Sequence, residues 1–543
     1  LWSHSKIFEE GGSHFRTTQQ FHPGNFGTLS MHQDLLVNIL GGFVAFMTNM
    51  AMAHLFVVLL VFLGNGLSGY WLGRKVSSSV YGGIASGLIL ALAPMAAWAV
   101  NTGNAEVGLL VWMVLFVGFM LDTVNGKNRG FHAGVAGALA VASNFSSAYI
   151  LLFFGLIVLF VEYQKVDLRL VLRLGLGGML GALLLSPLAV GFVEEHRERN
   201  IHSSLSSIES RKKMQIREAA DRDGGGRKAA SRLMEENERV MSMGADQLLP
   251  SFPFGYRERN GAGLHLSIYL LVLASLALGG RKIWPWVASG VFFWVMAMGS
   301  HLFWIDGERI NYTFHVLPFE WARNLLPFFY RFQYPARLFI GSTLAAAVLA
   351  AIAIGRLTEP VGPRRLLGFG ALVLLGLELS VTWPVRTFPI PEAHPVYETI
   401  ANTEGDFAII EFPFNFRNID ANYQCNQTVH GKRTLNGLMP PFIKEDPTGG
   451  YVTGNPLVWK MACLQQAMLM KNGVRPFSPL LCEGRAGLER SLGSLAGAKQ
   501  DLAEHGFKFV ILHHQISRER VSGTGGDTIQ VDPSGEMERL LRD

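Results

Sequence analysis

Cysteine is almost missing from this 543-residue chain, with three residues, Cys425, Cys463 and Cys482, all in the last quarter. No two of them have zinc-ligand or CxxC redox spacing, which excludes a disulfide scaffold and the common zinc and thiol-redox motifs. At most one disulfide can form, one thiol is left over, and the reading is of three ordinary cysteines. Charge is scarce as well. Asp, Glu, Lys and Arg make up 16% of the chain and the net charge is only +5, where an ordinary soluble protein is about 25% charged. So small an excess gives no electrostatic case for nucleic acid. There is no Walker loop, no GxGxxG opening a helix, no GxSxG elbow and no HExxH, so the soluble catalytic repertoires have no foothold. Internal repeats and low-complexity tracts are absent too.

What is present is apolar surface. Hydrophobic residues are 49% of the chain, 37 of them Phe, and the mean hydropathy is +0.25. The chain reads as a polytopic α-helical membrane protein. A span needs about 20 apolar residues to cross about 30 Å of hydrocarbon. Such runs lie near 49–73, 79–100, 105–121, 171–192, 264–280, 284–303, 337–356 and 366–384. Leu1 is not an initiator Met and no signal-peptide pattern precedes the first loop, so the sequence reads as beginning inside a longer protein.

The stretch 131–162 is interrupted by Asn144-Phe145-Ser146-Ser147 and reads as one overlong helix or as a hairpin. The positive-inside rule arbitrates. Arg74 and Lys75, Lys127 and Arg129, Lys165 and Arg169, Arg281 and Lys282, and Arg356 with Arg364 and Arg365 mark five short loops. Only the hairpin puts all five on one side, and it yields ten spans. The opposite, outward side, which in a bacterium is the periplasm, then receives 1–34, the turns near 101–104 and 144–147, and the segments 193–263, 304–335 and 385–543.

The expected organisation is therefore an outer loop with an interfacial or half-inserted helix over 1–48, then a first half-bundle over 49–192. A charged periplasmic loop follows over 193–263, a second half-bundle over 264–384, and a small periplasmic α/β domain over 385–543. The charged loop holds 11 basic and 11 acidic residues between Glu194 and Asp246. Such a balanced run is a solvated face first and a protein-partner surface second. In the tail, 407–414 and 507–514 read as buried strands and 486–505 as a helix pair.

Polar residues at the outward end of an apolar bundle are costly and hence functional candidates. His4, His14, His22 and His32, with Glu9, Glu10 and Asp34, could ligate a divalent metal, but their spacing matches no ligand motif, so neither a metal nor a cofactor is assigned. Glu106 follows the turn 101–104 and is either a solvated helix-start acid or an active-site acid. Glu378, inside the last span, is expected to accept a structural hydrogen bond rather than to catalyse. Arg323, Arg331 and Arg337 stand in or beside 304–335, on the side that should be poor in basic residues. They suit a phosphate held at the membrane surface; snorkelling anchors are the alternative.

The order of several loose motifs resembles a bacterial, mostly uncharacterised family of large GT-C-like (glycosyltransferase-39-like) membrane proteins. These are Trp2 with Phe21-His22-Pro23-Gly24, Gly69-Tyr70-Trp71-Leu72-Gly73-Arg74, Gly103-Asn104-Ala105-Glu106 and Ser143-Asn144-Phe145-Ser146-Ser147. Ala245-Asp246-Gln247-Leu248-Leu249-Pro250-Ser251, Tyr334-Pro335-Ala336-Arg337, Ile410-Glu411-Phe412-Pro413 and Gln427-Thr428-Val429-His430-Gly431-Lys432 continue the series. The resemblance implies a GT-C-like bundle that moves a sugar from a polyprenyl-phosphate donor to an acceptor on the periplasmic face. It also implies a key first-loop acid lying before Leu1. The family often has Asp where this chain has Asn144, and Arg where it has Gln333.

The residues expected to act are Glu106 as the visible acid, Arg337, Arg331 and Arg323 on the lipid phosphate, and His22, His32 and Asn144 in the substrate cavity. The alternative is a non-catalytic GT-C-like scaffold subunit, binding protein partners through 193–263 and 385–543.

Overall fold

Apolar length decides where the helices run. The computed structural model describes residues 2–10, 16–17, 26–27, 35–101, 105–144, 146–199, 263–300, 317–326, 329, 334–359, 362–380, 394–412, 419–435, 451, 455–471, 495–513, 515–517 and 528–530. Four helices are long and apolar enough to cross a membrane: Met50–Ser77, Val80–Asn101, Leu168–Val190 and Pro335–Thr358. Shorter apolar helices run over Leu35–Met47, Val111–Val124, Gly130–Ser143, Ser146–Val161 and Leu266–Leu278, with Trp284–Ala297 and Pro363–Ser380 beside them. The protein is a helical membrane protein. Its residues divide into two compact units, one of Gln33–Glu194 and Leu205–Phe388, the other of Trp2–His32, Glu195–Ser204 and Pro389–Asp543.

The stretch 131–162 is a hairpin. Asn144 takes an extended backbone between the two helices, and its side-chain oxygen accepts from the Ser146 backbone N–H at 2.9 Å. Lys165 beyond the second arm donates to Asn125 before the first, at 3.0 Å, and Arg173 donates to the Gly126 carbonyl at 2.8 Å. One continuous helix would hold those loops about 45 Å apart. The arms, 14 and 16 residues long, are about 21 and 24 Å, shorter than the hydrocarbon core.

Further contacts bring the remaining basic loops to the same end of the bundle. Lys75 and Lys127 both pair with Asp122, and a Cβ on Gly355 would touch Ser77 and Ser79. The Trp284–Ala297 helix runs antiparallel to the helix after Arg337: Phe293 lies against Gly341, and the Gly290 carbonyl accepts from Ser342 at 2.8 Å. Arg281 and Lys282 therefore stand level with Arg356.

The span expected over 105–121 is two pieces. A four-residue helix Ala105–Gly108 is followed by non-helical Leu109 and Leu110, and the long helix begins only at Val111. Open backbone groups at membrane depth need partners, and Asn65 supplies them. Its Nδ2 donates to the Gly108 carbonyl at 2.6 Å, and its Oδ1 accepts from the Leu110 N–H at 2.7 Å. Its side chain is fully buried.

Every residue from Phe339 to Gly355 is buried, so this helix is the axis of the bundle. By contrast, Leu172, Leu176, Met179 and Leu183 on the Leu168–Arg199 helix are exposed, as lipid-facing residues are. Gly134 lets that helix approach closely, since a Cβ there would strike the Gly177 carbonyl oxygen.

The tail carries a parallel sheet in the order Arg433–Thr434, Ala408–Phe412, Phe507–Leu512. Ala408, Ile410 and Phe412 pack with Leu457, Val458, Met461 and Leu502, whereas Ile409 packs on the other face with Tyr397 and Ile400. Both faces are covered, which explains strands that read as unbroken apolar runs. Of the helix pair expected over 486–505, Leu495–Glu504 is helical, and 486–494 lies outside the described residues. The cysteines are not all ordinary: Cys463 is disulfide-bonded, and Cys425 is a free, exposed thiol.

Candidate functional site

Arg337 sits at the end of the bundle opposite the basic loops, on the 3-10 turn Pro335–Leu338 that opens the axial helix. Pro335 keeps Tyr334 out of the helical region, at φ −118° and ψ 77°, so the turn starts where the proline stands. The Arg337 N–H donates to the Tyr334 carbonyl at 2.9 Å, and the guanidinium carbon lies 4.6 Å from the Tyr334 ring centroid. Beneath the turn, wholly buried Phe329 meets Tyr149 edge-on at 4.8 Å and Phe319 at 5.3 Å.

Arg337 is half-buried, and its Nε is fully shielded with no hydrogen-bond partner among the described residues. Buried donors are almost always satisfied. An unsatisfied one on a permanent cation, aimed from an aromatic-backed turn, is a place for an anionic acceptor.

Arg323 is differently placed. It ends the short helix Pro318–Leu325, exposed, 3.6 Å from Glu320, and Glu320 also accepts from the Ser300 hydroxyl at 2.7 Å. A pair this exposed contributes about 1 kcal/mol or less, but it gives Arg323 a protein partner that Arg337 does not have among the described residues. Both segments pack against Trp284–Ala297.

Glu106 belongs to the four-residue helix, so it does not start a span as the sequence indicated; its side chain lies outside the described residues. Asn144 is buried and acts as a local cap, accepting from both the Ser146 N–H and the Ser146 hydroxyl. His22, His32 and Arg331 lie outside the described residues, as does 200–262 of the charged loop. Glu378 does what its position implied. Its two carboxylate oxygens accept from the Leu266 and Ser267 N–H groups at 3.0 and 2.8 Å, capping the Leu266–Leu278 helix. Among the described residues, no group of three or more His, Cys, Asp or Glu side chains could hold a metal ion.

Two residue sets escaped the sequence reading. Asn65 was visible as a lone amide inside an apolar run, but its partners lie more than 40 residues away. Glu411, His430 and His513 were visible as polar residues in otherwise apolar or helical tail segments, with nothing to say that they meet.

No family model matches the chain, and no curated protein matches it. The similar solved structures include two oligosaccharyltransferases. The archaeal oligosaccharyltransferase AglB from Archaeoglobus fulgidus, in complex with an inhibitory peptide and a dolichol-phosphate, is 13% identical at a TM-score of 0.44, over 80% of this chain and 59% of that one. The Archaeoglobus fulgidus oligosaccharyltransferase tethered by a disulfide to an acceptor peptide containing the NVT sequon is 13% identical at a TM-score of 0.48, over 95% and 64%. This chain thus spans less than two thirds of the length of either.

Proposed function

We propose that the protein is a GT-C-like glycosyltransferase of a bacterial inner membrane, taking a sugar from a polyprenyl-phosphate donor at the periplasmic end of the bundle. The observation that carries this reading is Arg337: a half-buried, permanently charged guanidinium with an unsatisfied Nε, at the end of the bundle that lacks the basic loops. Orientation signalling accounts for basic residues at the other end, and does not account for this one. The disulfide at Cys463 supports a periplasmic tail.

In this reading Arg337, with Arg331 and Arg323, holds the departing phosphate and stabilises the charge that develops on it. Glu106 helps orient or deprotonate the acceptor hydroxyl, with His22 and His32 lining the cavity. The charged segment 193–263 and the tail are the surfaces for protein partners.

One observation favours a second reading, the non-catalytic scaffold. The side-chain oxygen of Asn144, where the resemblance would place Asp, is occupied in capping a helix. The two are separated by incubating the protein in nanodiscs with a polyprenyl-phosphate-linked sugar and following release of the free lipid phosphate. Release that falls at least tenfold in Glu106→Gln supports the transferase; no release from the wild-type protein supports the scaffold.

A further inference from the structure

The cations at the basic end of the bundle are not all neutralised. Among the described residues, the carboxylates there are Asp122, Glu162, Asp167 and Glu359, and each is engaged. Asp122 pairs with Lys75 and Lys127, Glu162 with Lys165 and Glu359 with Arg356. Asp167 accepts from the Leu170 N–H at 2.7 Å, within the first turn of its own helix. Arg129, Arg169 and Arg173 are left with no carboxylate partner among the described residues.

These three arginines meet at one helix crossing. A Cβ on Gly130 would strike the Arg173 carbonyl oxygen and would come within 3.4 Å of the Arg173 Cβ. The Arg173 side chain therefore begins beside Gly130, the neighbour of Arg129 in the chain. Arg173 Nη1 donates to the Gly126 carbonyl at 2.8 Å, which holds the loop before Arg129 against the Leu168–Arg199 helix. Arg129 Nη1 lies 3.2 Å from His132 Nε2, three residues on. Arg169 stands one turn before Arg173, and residues four apart share a helix face. Arg129 and Arg169 are exposed and Arg173 is half-buried. The bonds of Arg129 and Arg173 to His132 and Gly126 run through Nη1 to uncharged acceptors. None of the described contacts uses the Nε–Nη2 edge of either guanidinium, the fork that meets two phosphate oxygens side by side.

Apolar surface continues from the same crossing. Leu172, Leu176, Met179 and Leu183 are exposed along the Leu168–Arg199 helix, and a Cβ added at Gly175 or Gly178 would meet nothing within 4 Å. A cationic patch above an open apolar ridge has the two chemistries of a phospholipid in their natural order, headgroup and then acyl chain.

We infer that this crossing binds an anionic phospholipid, with its phosphodiester on Arg129 and Arg173, Arg169 flanking it, and an acyl chain along the ridge from Leu172 to Leu183. The positive-inside rule counts basic residues wherever they lie in the short loops. It accounts for their number at this end, and not for three unpaired arginines gathered where Gly130 brings two segments together. A free phosphate ester offers the same oxygens without the acyl chain, so the ridge is what favours the lipid. The site is separate from Arg337, which opens the axial helix at the opposite end of the bundle.

The test is binding to the purified full chain in detergent, read by native mass spectrometry during titration with phosphatidylglycerol or phosphatidylcholine, with soluble glycerol 3-phosphate as competitor. Wild type should bind phosphatidylglycerol at least about fivefold more tightly than phosphatidylcholine, and glycerol 3-phosphate should not displace it. At about fivefold per basic residue near a headgroup, Arg129→Gln with Arg173→Gln should weaken phosphatidylglycerol by about tenfold or more and leave phosphatidylcholine unchanged. Arg281→Gln with Lys282→Gln removes the same charge from an exposed pair on another loop, and should change binding less than twofold. An equal loss in that control means a diffuse field and overturns the site. Unchanged binding in the arginine variant, or no preference for phosphatidylglycerol in wild type, overturns it as well. Displacement by glycerol 3-phosphate would make it a site for free phosphate esters and overturn the lipid. If Arg173→Gln does not fold for want of its bond to Gly126, Arg129→Gln alone decides, with a loss of about fivefold expected and an unchanged affinity contradicting the inference.

Discussion

Glu378 of the bundle is half-buried and Glu411 of the tail fully buried, and the two carboxylates are held in different ways. Glu378 in the bundle is gripped by two backbone N–H groups at the start of a neighbouring helix. Glu411 in the tail is gripped by side chains, Tyr397 and His513, with His430 close by. Backbone donors are fixed, so the first arrangement locks two helices at one depth. Side-chain donors reach Glu411 from separate segments, so the second ties a helix and the end of an edge strand to the central strand. The same contrast extends to amides. Asn65 stitches a broken helix at membrane depth through backbone atoms alone, whereas Asn455 in the tail ties Leu457 and Val458 to Ala498 and Asp501.

The contrast can be broken or sharpened by substitution. Asn65→Leu is expected to have the largest effect. It keeps the volume but leaves the Gly108 carbonyl and the Leu110 N–H open in a dry setting, at about 1–3 kcal/mol each. Thermal unfolding in detergent should show the loss in the bundle. A loss under 1 kcal/mol would mean that the break at 109–110 finds other partners.

Glu378→Gln offers one acceptor oxygen where two N–H groups wait, and turns an amide toward the second. A cost of about 1–3 kcal/mol is expected, read as faster exchange confined to the first turn of Leu266–Leu278. Asn455→Ala should cost about 0.5–2 kcal/mol as a lost cap on the Pro456–Lys471 helix, seen as quicker proteolysis of the tail with the bundle unchanged. If it destabilises the bundle equally, the two units do not unfold separately.

Much of the bundle was legible because hydrophobic length and loop charge are local signals. Ten apolar segments, the short Leu35–Met47 helix and the hairpin at Asn144 follow from them. The break after Gly108 was not legible: Leu109 and Leu110 are apolar, no proline marks them, and the residue that makes the break tolerable is Asn65. In the tail, the strands at 408–412 and 507–512 stood out by composition. The meeting of Glu411 with Tyr397, His430 and His513 did not, because those partners lie 14, 19 and 102 residues along the chain and converge only through a parallel sheet. Arg337 was legible as a cation away from the basic loops, and the structure adds that its Nε has no acceptor among the described residues.

The account rests on that guanidinium binding a lipid phosphate, and binding measures it directly. The protein in nanodiscs would be titrated with polyprenyl phosphate, comparing wild type, Arg337→Lys and Arg337→Gln. A charge-assisted contact is worth roughly 1.5–3 kcal/mol, or about 10- to 150-fold in Kd. Arg337→Gln should lose nearly all of this and Arg337→Lys much of it, for want of the planar fork. If Arg337→Gln binds the carrier as tightly as wild type, Arg337 is an interfacial anchor and the phosphate site is not there.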